Sequence, residues 1–155
     1  PSLSVAVAYE GTIIWAAASG WSDLASRTPV SLGTRYRIGS TSKAVTATVL
    51  ARLVDRGAMR LDAPASTWTR DLPNPQWAAL TPRQLAAHTA GIVDYDQNRD
   101  FAGLFHSIRE RKQFASVTEA LSVFDGNSLK YAPGTGFRYS SFDVVLLAAL
   151  MEQAA

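Results

Sequence analysis

The fold is organised around Arg37-Ile38-Gly39-Ser40-Thr41-Ser42-Lys43-Ala44-Val45, where a serine opens an apolar helical run and a lysine follows it by three positions. Residues i and i+3 of a helix share a face, with Cβ atoms about 5–6 Å apart, so the amine of Lys43 can reach the hydroxyl of Ser40. A serine is a weak nucleophile near neutral pH and needs an adjacent base. On the spacing alone, an N-cap serine followed by a solvated lysine is the more common arrangement, and a nucleophile with its base is the alternative.

The helix that follows Ser40 is apolar on most sides. A lysine can act as a base only where burial and neighbouring groups lower its pKa. We therefore expect this helix to be largely buried and to end near Gly57, a typical residue just beyond a helix C-terminus. Its apolar positions are Ala44, Val45, Ala47, Val49, Leu50, Leu53 and Val54.

The composition is that of an ordinary globular protein of single-domain size, with 155 residues, 47% hydrophobic and 18% charged. The net charge of +2 is too small and too dispersed to predict a nucleic-acid surface. No run of about 18 apolar residues is present in this chain, so we expect no membrane-spanning helix within it. The absence of cysteine excludes disulfides, thiolate metal sites and a cysteine nucleophile from these residues.

Strand patterns stand near the beginning of the chain. Leu3 to Tyr9 and Thr12 to Ala18 are short apolar runs, and Glu10-Gly11 between them predicts the turn of a hairpin. Both runs are apolar on both faces, which predicts a sheet covered by helices rather than one open to water. Residues 19–35 carry scattered Gly, Ser, Asp and Pro, so we expect a loop there, with room for a short strand.

Helix signals dominate the rest of the chain. Two capping boxes, Thr81 to Gln84 and Ser116 to Glu119, predict short helices that run to about His88 and Phe124. The patterns together predict the α/β class, of the α+β type, with an antiparallel sheet flanked by helices. The other expected segments are an irregular connection over 60–80, a loop over 93–113 with a helical stretch around 101–111, a turn over 131–136 and a strongly apolar helix over 142–155.

The last helical pattern closes on Ala154-Ala155 without a glycine, a proline or a basic last turn. We therefore expect residues 1–155 to be the N-terminal portion of one domain that is incomplete at its C-terminus. Only two strands are clearly predicted, and a lone hairpin is marginally stable in water. We expect further C-terminal strands, or a second chain, to pair with Leu3 to Tyr9.

A second candidate for chemistry is Phe137-Arg138-Tyr139-Ser140-Ser141-Phe142, which lies between a glycine-rich turn and the last helix. A loop residue in such a position is well fixed in space. A phenol that faces an ammonium group ionises more readily, so Tyr139 can pass a proton between a nucleophile and a leaving group. The alternative is a tyrosine that packs in the core beneath the last helix.

Taken together, these stretches resemble the serine β-lactamase and penicillin-binding superfamily, in particular its class C and D-alanyl-D-alanine peptidase branch. The resemblance looks closest to the mitochondrial serine β-lactamase-like proteins and their bacterial relatives. It implies a β-lactamase/transpeptidase-like fold and a bacterial periplasmic or secreted location. It covers nearly the whole chain in the right order, through Leu3–Tyr9, Arg35–Lys43, Leu61–Pro64, Leu80–Ile92 with its His88-Thr89-Ala90-Gly91, and Pro133–Ser141.

The resemblance assigns roles to the matching residues. Ser40 resembles the nucleophile that forms an acyl-enzyme, Lys43 its proton acceptor and Tyr139 the second base. Ser141 stands where the family usually has asparagine, so it is the expected substrate-binding contact. The resemblance implies a serine hydrolase that acts on β-lactam, peptide-amide or ester carbonyls of a small-molecule or peptide substrate and needs no cofactor.

Two departures favour a rival interpretation, a non-catalytic penicillin-binding-like or scaffold protein that keeps the fold without turnover. The Ser141 side chain is shorter than asparagine and lacks the separate donor and acceptor atoms of an amide. The family's Lys-Thr-Gly or His-x-Gly strand, which normally supplies one backbone N–H of the oxyanion hole, is absent from this chain. Losing one such donor typically costs about 10²–10³ in rate.

The two histidines carry weaker signals. His88 follows a short helix, where an imidazole is commonly structural. A Ser-His-Asp triad that uses Ser40 and His88 stays open, although Lys43 makes it unnecessary. His106 lies in a polar stretch, where we expect it to be exposed. No second histidine, cysteine or carboxylate stands at ligand spacing, so we expect no metal site.

Overall fold

The computed structural model describes residues 2–94 and 114–155, and the chain forms two compact units, Pro1–Gly39 and Ser40–Ala155. The first unit is an antiparallel sheet and the second is helical. The α+β architecture predicted from the sequence is therefore present. The helical stretch expected around 101–111 and the residue His106 lie outside the described residues.

The first unit is a three-stranded sheet of strands β1 (Ser2–Tyr9), β2 (Thr12–Asp23) and β3 (Thr28–Pro29), ordered β1-β2-β3. β1 and β2 form the predicted hairpin, and Glu10 and Gly11 of its turn take φ values of 47° and 80°. β2 continues beyond the predicted end at Ala18. It does so because Ser19 and Gly20 pair with β1 and the following residues pair with β3, so partners on both sides override weak strand propensity.

Many apolar side chains of this sheet are exposed. Within the described residues, β1 is an edge strand that pairs with β2. An exposed apolar edge strand favours association with another strand. The expectation that further strands pair with β1 therefore stays a prediction. The exposed apolar side chains of these strands include Leu3, Val5, Val7, Tyr9, Ile13, Ile14, Trp15 and Trp21.

Within residues 40–94 and 114–155, the second unit contains four α-helices: α1 (Ser42–Asp55), α2 (Pro82–Ala86), α3 (Val117–Ala120) and α4 (Ser141–Ala154). None of the helices in the described part of the chain is long and apolar enough to cross a membrane. Short 3-10 turns occupy Gly39–Thr41, Ala65–Thr67, Pro75–Ala79 and Leu121–Val123.

Capping residues mark the starts of α2 and α3, as the sequence predicts. Thr81 and Gln84 form the predicted capping box at the start of α2, with both reciprocal hydrogen bonds present. The Ser116 hydroxyl accepts from the Glu119 N–H as predicted, but the Glu119 carboxylate accepts from Ala115 N–H rather than from the N-cap residue. The segment after α3 tightens into a 3-10 turn instead of continuing as an α-helix.

Helix α4 lies at the centre of the core of the second unit. It contacts α1, α2 and α3. At its first turn, Phe142 stacks on Phe124 with ring centroids 4.2 Å apart, and Phe124 lies 5.0 Å from Trp77. This packing fixes the N-terminal end of α4 and therefore the residues just before it. The fully buried leucines of α4 are Leu146, Leu147 and Leu150.

The prediction that α1 is largely buried is wrong for the described residues. Leu50 and Leu53 are buried, whereas Val45 and Val49 are 61% and 45% exposed. The contact between α1 and α4 covers one side of α1 only. An apolar pattern around a helix shows which surface favours burial, but the neighbours present decide how much of it is covered.

We expect Gly91→Ala to destabilise the protein more than Gly57→Ala. Both glycines take positive φ, 88° and 71°, so either substitution costs about 1–2 kcal/mol of backbone strain. A Cβ at Gly91 would lie 2.7 Å from the carbonyl oxygen of Tyr131, whereas a Cβ at Gly57 meets nothing within 4 Å. Displacing that carbonyl adds roughly 1–3 kcal/mol. Urea unfolding of the two variants measures the difference, and equal losses would contradict the close approach.

Candidate active site

The hydroxyl of Ser40 lies between two potential bases. Ser40 Oγ is 2.6 Å from the Tyr139 hydroxyl and 3.1 Å from Lys43 Nζ, which donates to it. Ser40 stands in the 3-10 turn that leads into α1, and Lys43 stands in the first turn of α1. Tyr139 comes from the segment just before α4. The structure thus brings together the three residues that the sequence nominated as catalytic.

Ser141 completes the hydrogen-bonded group. Lys43 Nζ donates to Ser141 Oγ at 3.4 Å, and the same ammonium lies 4.8 Å from the centroid of the Tyr139 ring. Lys43 is half-buried between its partners, while Ser40 remains exposed to an incoming substrate. The Lys43 ammonium therefore contacts the hydroxyls of Ser40 and Ser141 and lies against the ring of Tyr139.

The charge beside Tyr139 changes its acidity. The hydrogen bond from Lys43 holds the pKa of Tyr139 below its ordinary value, and the hydrogen bond with Ser40 acts in the same direction. Burial opposes this shift only weakly, since the ring is 42% exposed. The phenol next to Ser40 therefore gives up its proton more readily than a free tyrosine.

The segment before α4 is held in place by backbone hydrogen bonds to the chain after α2. The N–H of Arg138 donates to the carbonyl oxygen of His88 at 3.0 Å, and the N–H of Ser140 donates to His88 Nδ1 at 3.3 Å. The next N–H, that of Ser141, donates to Asp94 Oδ1 at 3.0 Å. Both neighbours of Tyr139 are thereby tied to one residue, His88.

His88 adopts an unusual backbone conformation to make these contacts. Its φ is 57°, in the left-handed region where a residue with a side chain is strained. Its ring packs on the ring of Tyr139, with centroids 4.7 Å apart, and its Nδ1 lies 3.0 Å from Asp143 Oδ2. His88 therefore joins the candidate site to the interior of the second unit.

Asp143 is a buried carboxyl group in an apolar helix. Its side chain is fully buried, and its Oδ1 has no hydrogen-bond partner among the described residues. Burial, reinforced by the negative charge of Asp94, raises the pKa of Asp143 to about 8. Burial, and next the charge of Lys43, lowers the pKa of His88. Both members of the His88–Asp143 pair therefore favour their uncharged forms near neutral pH.

The alternative of a Ser-His-Asp triad is not formed by the described residues. His88 pairs with Asp143, but the hydrogen bonds of Ser40 Oγ go to Lys43 and Tyr139. No group of three metal-binding side chains occurs within residues 2–94 and 114–155. The sequence nominated neither Asp94 nor Asp143, although a lone aspartate in an otherwise apolar helical run was an available signal for the latter.

Comparisons with known proteins show which family this chain resembles. The family model described as Beta-lactamase matches residues 1–155. The chain is 24% identical over 216 residues to the mitochondrial serine beta-lactamase-like protein LACTB of Homo sapiens, covering 100% of this chain and 39% of that protein. It is 30% identical over 158 residues to esterase EstB of Burkholderia gladioli, covering 96% of this chain and 39% of the esterase.

A solved structure has a fold similar to that of this chain. The penicillin binding protein from Bacillus halodurans superposes with a TM-score of 0.76 at 27% identity, covering 99% of this chain and 44% of that one. The chain therefore spans less than half the length of these relatives.

Proposed function

The chain belongs to the beta-lactamase family of serine hydrolases, and on that premise we propose that it cleaves carbonyl substrates through an acyl-enzyme on Ser40. The observation that carries this proposal is the position of Ser40 Oγ, 2.6 Å from the Tyr139 hydroxyl and 3.1 Å from Lys43 Nζ. A serine within hydrogen-bond reach of a lysine and of a phenol whose pKa is lowered has the neighbouring groups that nucleophilic catalysis requires.

In the acylation step, Ser40 Oγ attacks the carbonyl carbon while its proton passes to the Lys43–Tyr139 pair. The tetrahedral intermediate then collapses, and the same proton moves to the leaving oxygen or nitrogen as its bond to carbon breaks. The acyl group remains as an ester on Ser40. In deacylation, the pair takes a proton from water, the resulting attack releases the acid, and the proton returns to Ser40. No cofactor enters either step.

The substrate class follows from this chemistry. An activated serine attacks esters, β-lactams and peptide amides, and the names of the relatives include an esterase and a β-lactamase. Ser141 is the proposed substrate contact because its hydroxyl reaches Lys43 at the edge of the candidate site. Small-molecule or peptide carbonyl compounds are the proposed substrates.

A non-catalytic binding or scaffold protein is the second candidate. It is favoured by Ser141 in place of the family's asparagine, because a serine hydroxyl lacks the separate donor and acceptor atoms of an amide. This candidate predicts a folded protein with an unreactive Ser40.

Turnover assays separate the two candidates. The protein is incubated with a short-chain p-nitrophenyl ester, a chromogenic β-lactam and a D-amino-acid p-nitroanilide, and each rate is compared with that of Ser40→Ala. A hydrolase cleaves at least one of these reporters in a manner that depends on Ser40. Equal rates for the two proteins on all three reporters would favour the scaffold.

We expect Ser141→Asn to improve the recognition of amide-bearing substrates. The longer side chain can reach Lys43 and still offer an N–H or C=O to a substrate amide. One added hydrogen bond of about 1–1.5 kcal/mol raises kcat/KM on β-lactam reporters roughly 10-fold. Ester turnover should change little, since an ester group has no amide N–H to recognise.

Ser141→Ala is the matched control, because it removes the hydroxyl at the same position without adding an amide. A gain on esters with no change on β-lactams in Ser141→Asn would contradict this role for residue 141.

A further inference from the structure

The Nδ1 atom of His88 contacts two polar groups, and each contact depends on which atoms carry a proton. The backbone N–H of Ser140 points at Nδ1 from 3.3 Å, and the Asp143 Oδ2 lies 3.0 Å away. A backbone N–H can only donate, so its bond to Nδ1 requires an Nδ1 without a proton. An unprotonated nitrogen attracts a carboxyl oxygen only when that oxygen carries the proton. When Asp143 is a neutral carboxylic acid, its O–H and the Ser140 N–H both donate toward Nδ1 and share its single lone pair, so neither contact is repulsive.

The surroundings of Asp143 favour that neutral form. Its side chain is fully buried and its Oδ1 has no hydrogen-bond partner among the described residues, so an ionised carboxylate here would be poorly solvated. Asp94 brings a second negative charge close by. Among the described residues, the other titratable groups that interact with the pair are Tyr131, whose pKa is raised mainly by burial and next by Asp143, and Lys43, which disfavours a charged His88.

We propose that Asp143 is a positioning residue of the candidate active site: its carboxyl proton holds His88 in the Nε2–H tautomer, so that the unprotonated Nδ1 accepts the Ser140 N–H and keeps Tyr139 against Ser40. The inferred protonation state of the His88–Asp143 pair does not depend on whether the protein is a catalyst. Its effect on turnover rests on the proposed function.

This arrangement exists only within a window of pH. Above the pKa of Asp143, raised to about 8, the carboxylate draws a proton onto Nδ1, and the Ser140 N–H loses its acceptor. At low pH, below the lowered pKa of His88, protonation of the imidazole removes the same acceptor. The loop that carries Tyr139 is therefore best held between these two limits.

Nitrogen NMR of the histidine ring tests the proposal without any need for activity. The chain has two histidines, and the signals of His106 are identified by their loss in His106→Gln. At pH 7 we expect a pyridine-type Nδ1 and a pyrrole-type Nε2 for His88, with a change in the Ser140 amide signal as pH rises through about 8. A pyrrole-type Nδ1 at pH 7 would overturn the proposal.

Asp143→Asn separates the donor role of this residue from its charge. The carboxamide N–H can donate to Nδ1 at every pH above the lowered pKa of His88, so there the variant should keep the Nε2–H tautomer and lose the transition near pH 8. Asp71→Asn, which changes an exposed carboxylate of the same unit, should behave like the wild type. A transition near pH 8 that persists in Asp143→Asn would assign it to another group. If this variant does not fold, the tautomer of His88 in the wild-type protein tests the proposal by itself.

Turnover then gives the functional readout. If positioning limits catalysis, wild-type kcat at pH 9 falls to about a tenth of its plateau, as expected for a required acid with a pKa of about 8, while Asp143→Asn stays level. A parallel fall in both proteins would overturn the positioning role. If neither protein turns over any reporter but the tautomer is as stated, the proposed function fails and the protonation state stands.

Discussion

Ser40→Ala is expected to lower kcat for ester and β-lactam reporters by about 10⁴–10⁶-fold. Removal of a serine nucleophile from a serine hydrolase has effects on this scale, because the covalent route is lost entirely. The fold should be retained, since Ser40 is exposed and exposed substitutions usually change stability by less than about 0.5 kcal/mol. Steady-state kinetics together with an unfolding curve measure both quantities.

Ser66→Ala provides the matched control for this experiment. Ser66 is an exposed serine in the 3-10 turn Ala65–Thr67 of the same unit, and the loss of its hydroxyl should leave turnover unchanged. Substantial turnover by Ser40→Ala would place the nucleophile elsewhere in the protein.

Lys43→Ala is expected to reduce kcat/KM by about 10²–10⁴-fold, the typical contribution of a positioned acid or base. The hydrogen bond from Lys43 is the largest cause of the lowered pKa of Tyr139. Its removal therefore raises the pKa of the phenol. The limb of the pH profile where activity rises with base ionisation should move to higher pH in the variant.

Rates measured across pH for Lys43→Ala, Tyr139→Phe and the double variant check this coupling. Residues that act as one unit contribute non-additively, so the double variant should be little worse than either single one. Losses that multiply, or an unmoved rising limb in Lys43→Ala, would show that the lysine and the tyrosine work independently.

The parts of this structure that depend on local signals could be predicted from the sequence. The hairpin turn at Glu10-Gly11 follows from its residues, the start of α2 follows from the Thr81 capping box, and the end of α1 follows from Gly57. Ser40 and Lys43 are also a local pair, because helix geometry places positions i and i+3 on one face.

Contacts between distant residues were harder to predict. Tyr139 and Ser141 lie about 100 residues beyond Ser40 and Lys43. The loop position of Tyr139 made it a candidate, and the resemblance to a known family assigned the roles of both residues. His88 and Asp143 are 55 residues apart, and neither belongs to a local pattern that signals the other. A buried pair of this kind forms because α4 packs against the chain after α2. The periodicity of the sequence does not predict that packing.

The extent to which α1 is buried could not be predicted from the local pattern either. The apolar run after Lys43 predicted a helix covered on most sides, yet Val45 and Val49 of α1 are exposed. An apolar side chain favours burial, but it becomes buried only where another surface packs against it.

Intact-protein mass spectrometry with a fluorophosphonate probe tests the central claim, that Ser40 is an activated nucleophile, most directly. The account predicts a mass increase of one probe per chain, located by peptide mapping on Ser40, absent from Ser40→Ala and slowed in Lys43→Ala. An unlabelled wild-type protein, or a label that maps to another residue and persists in Ser40→Ala, would contradict it.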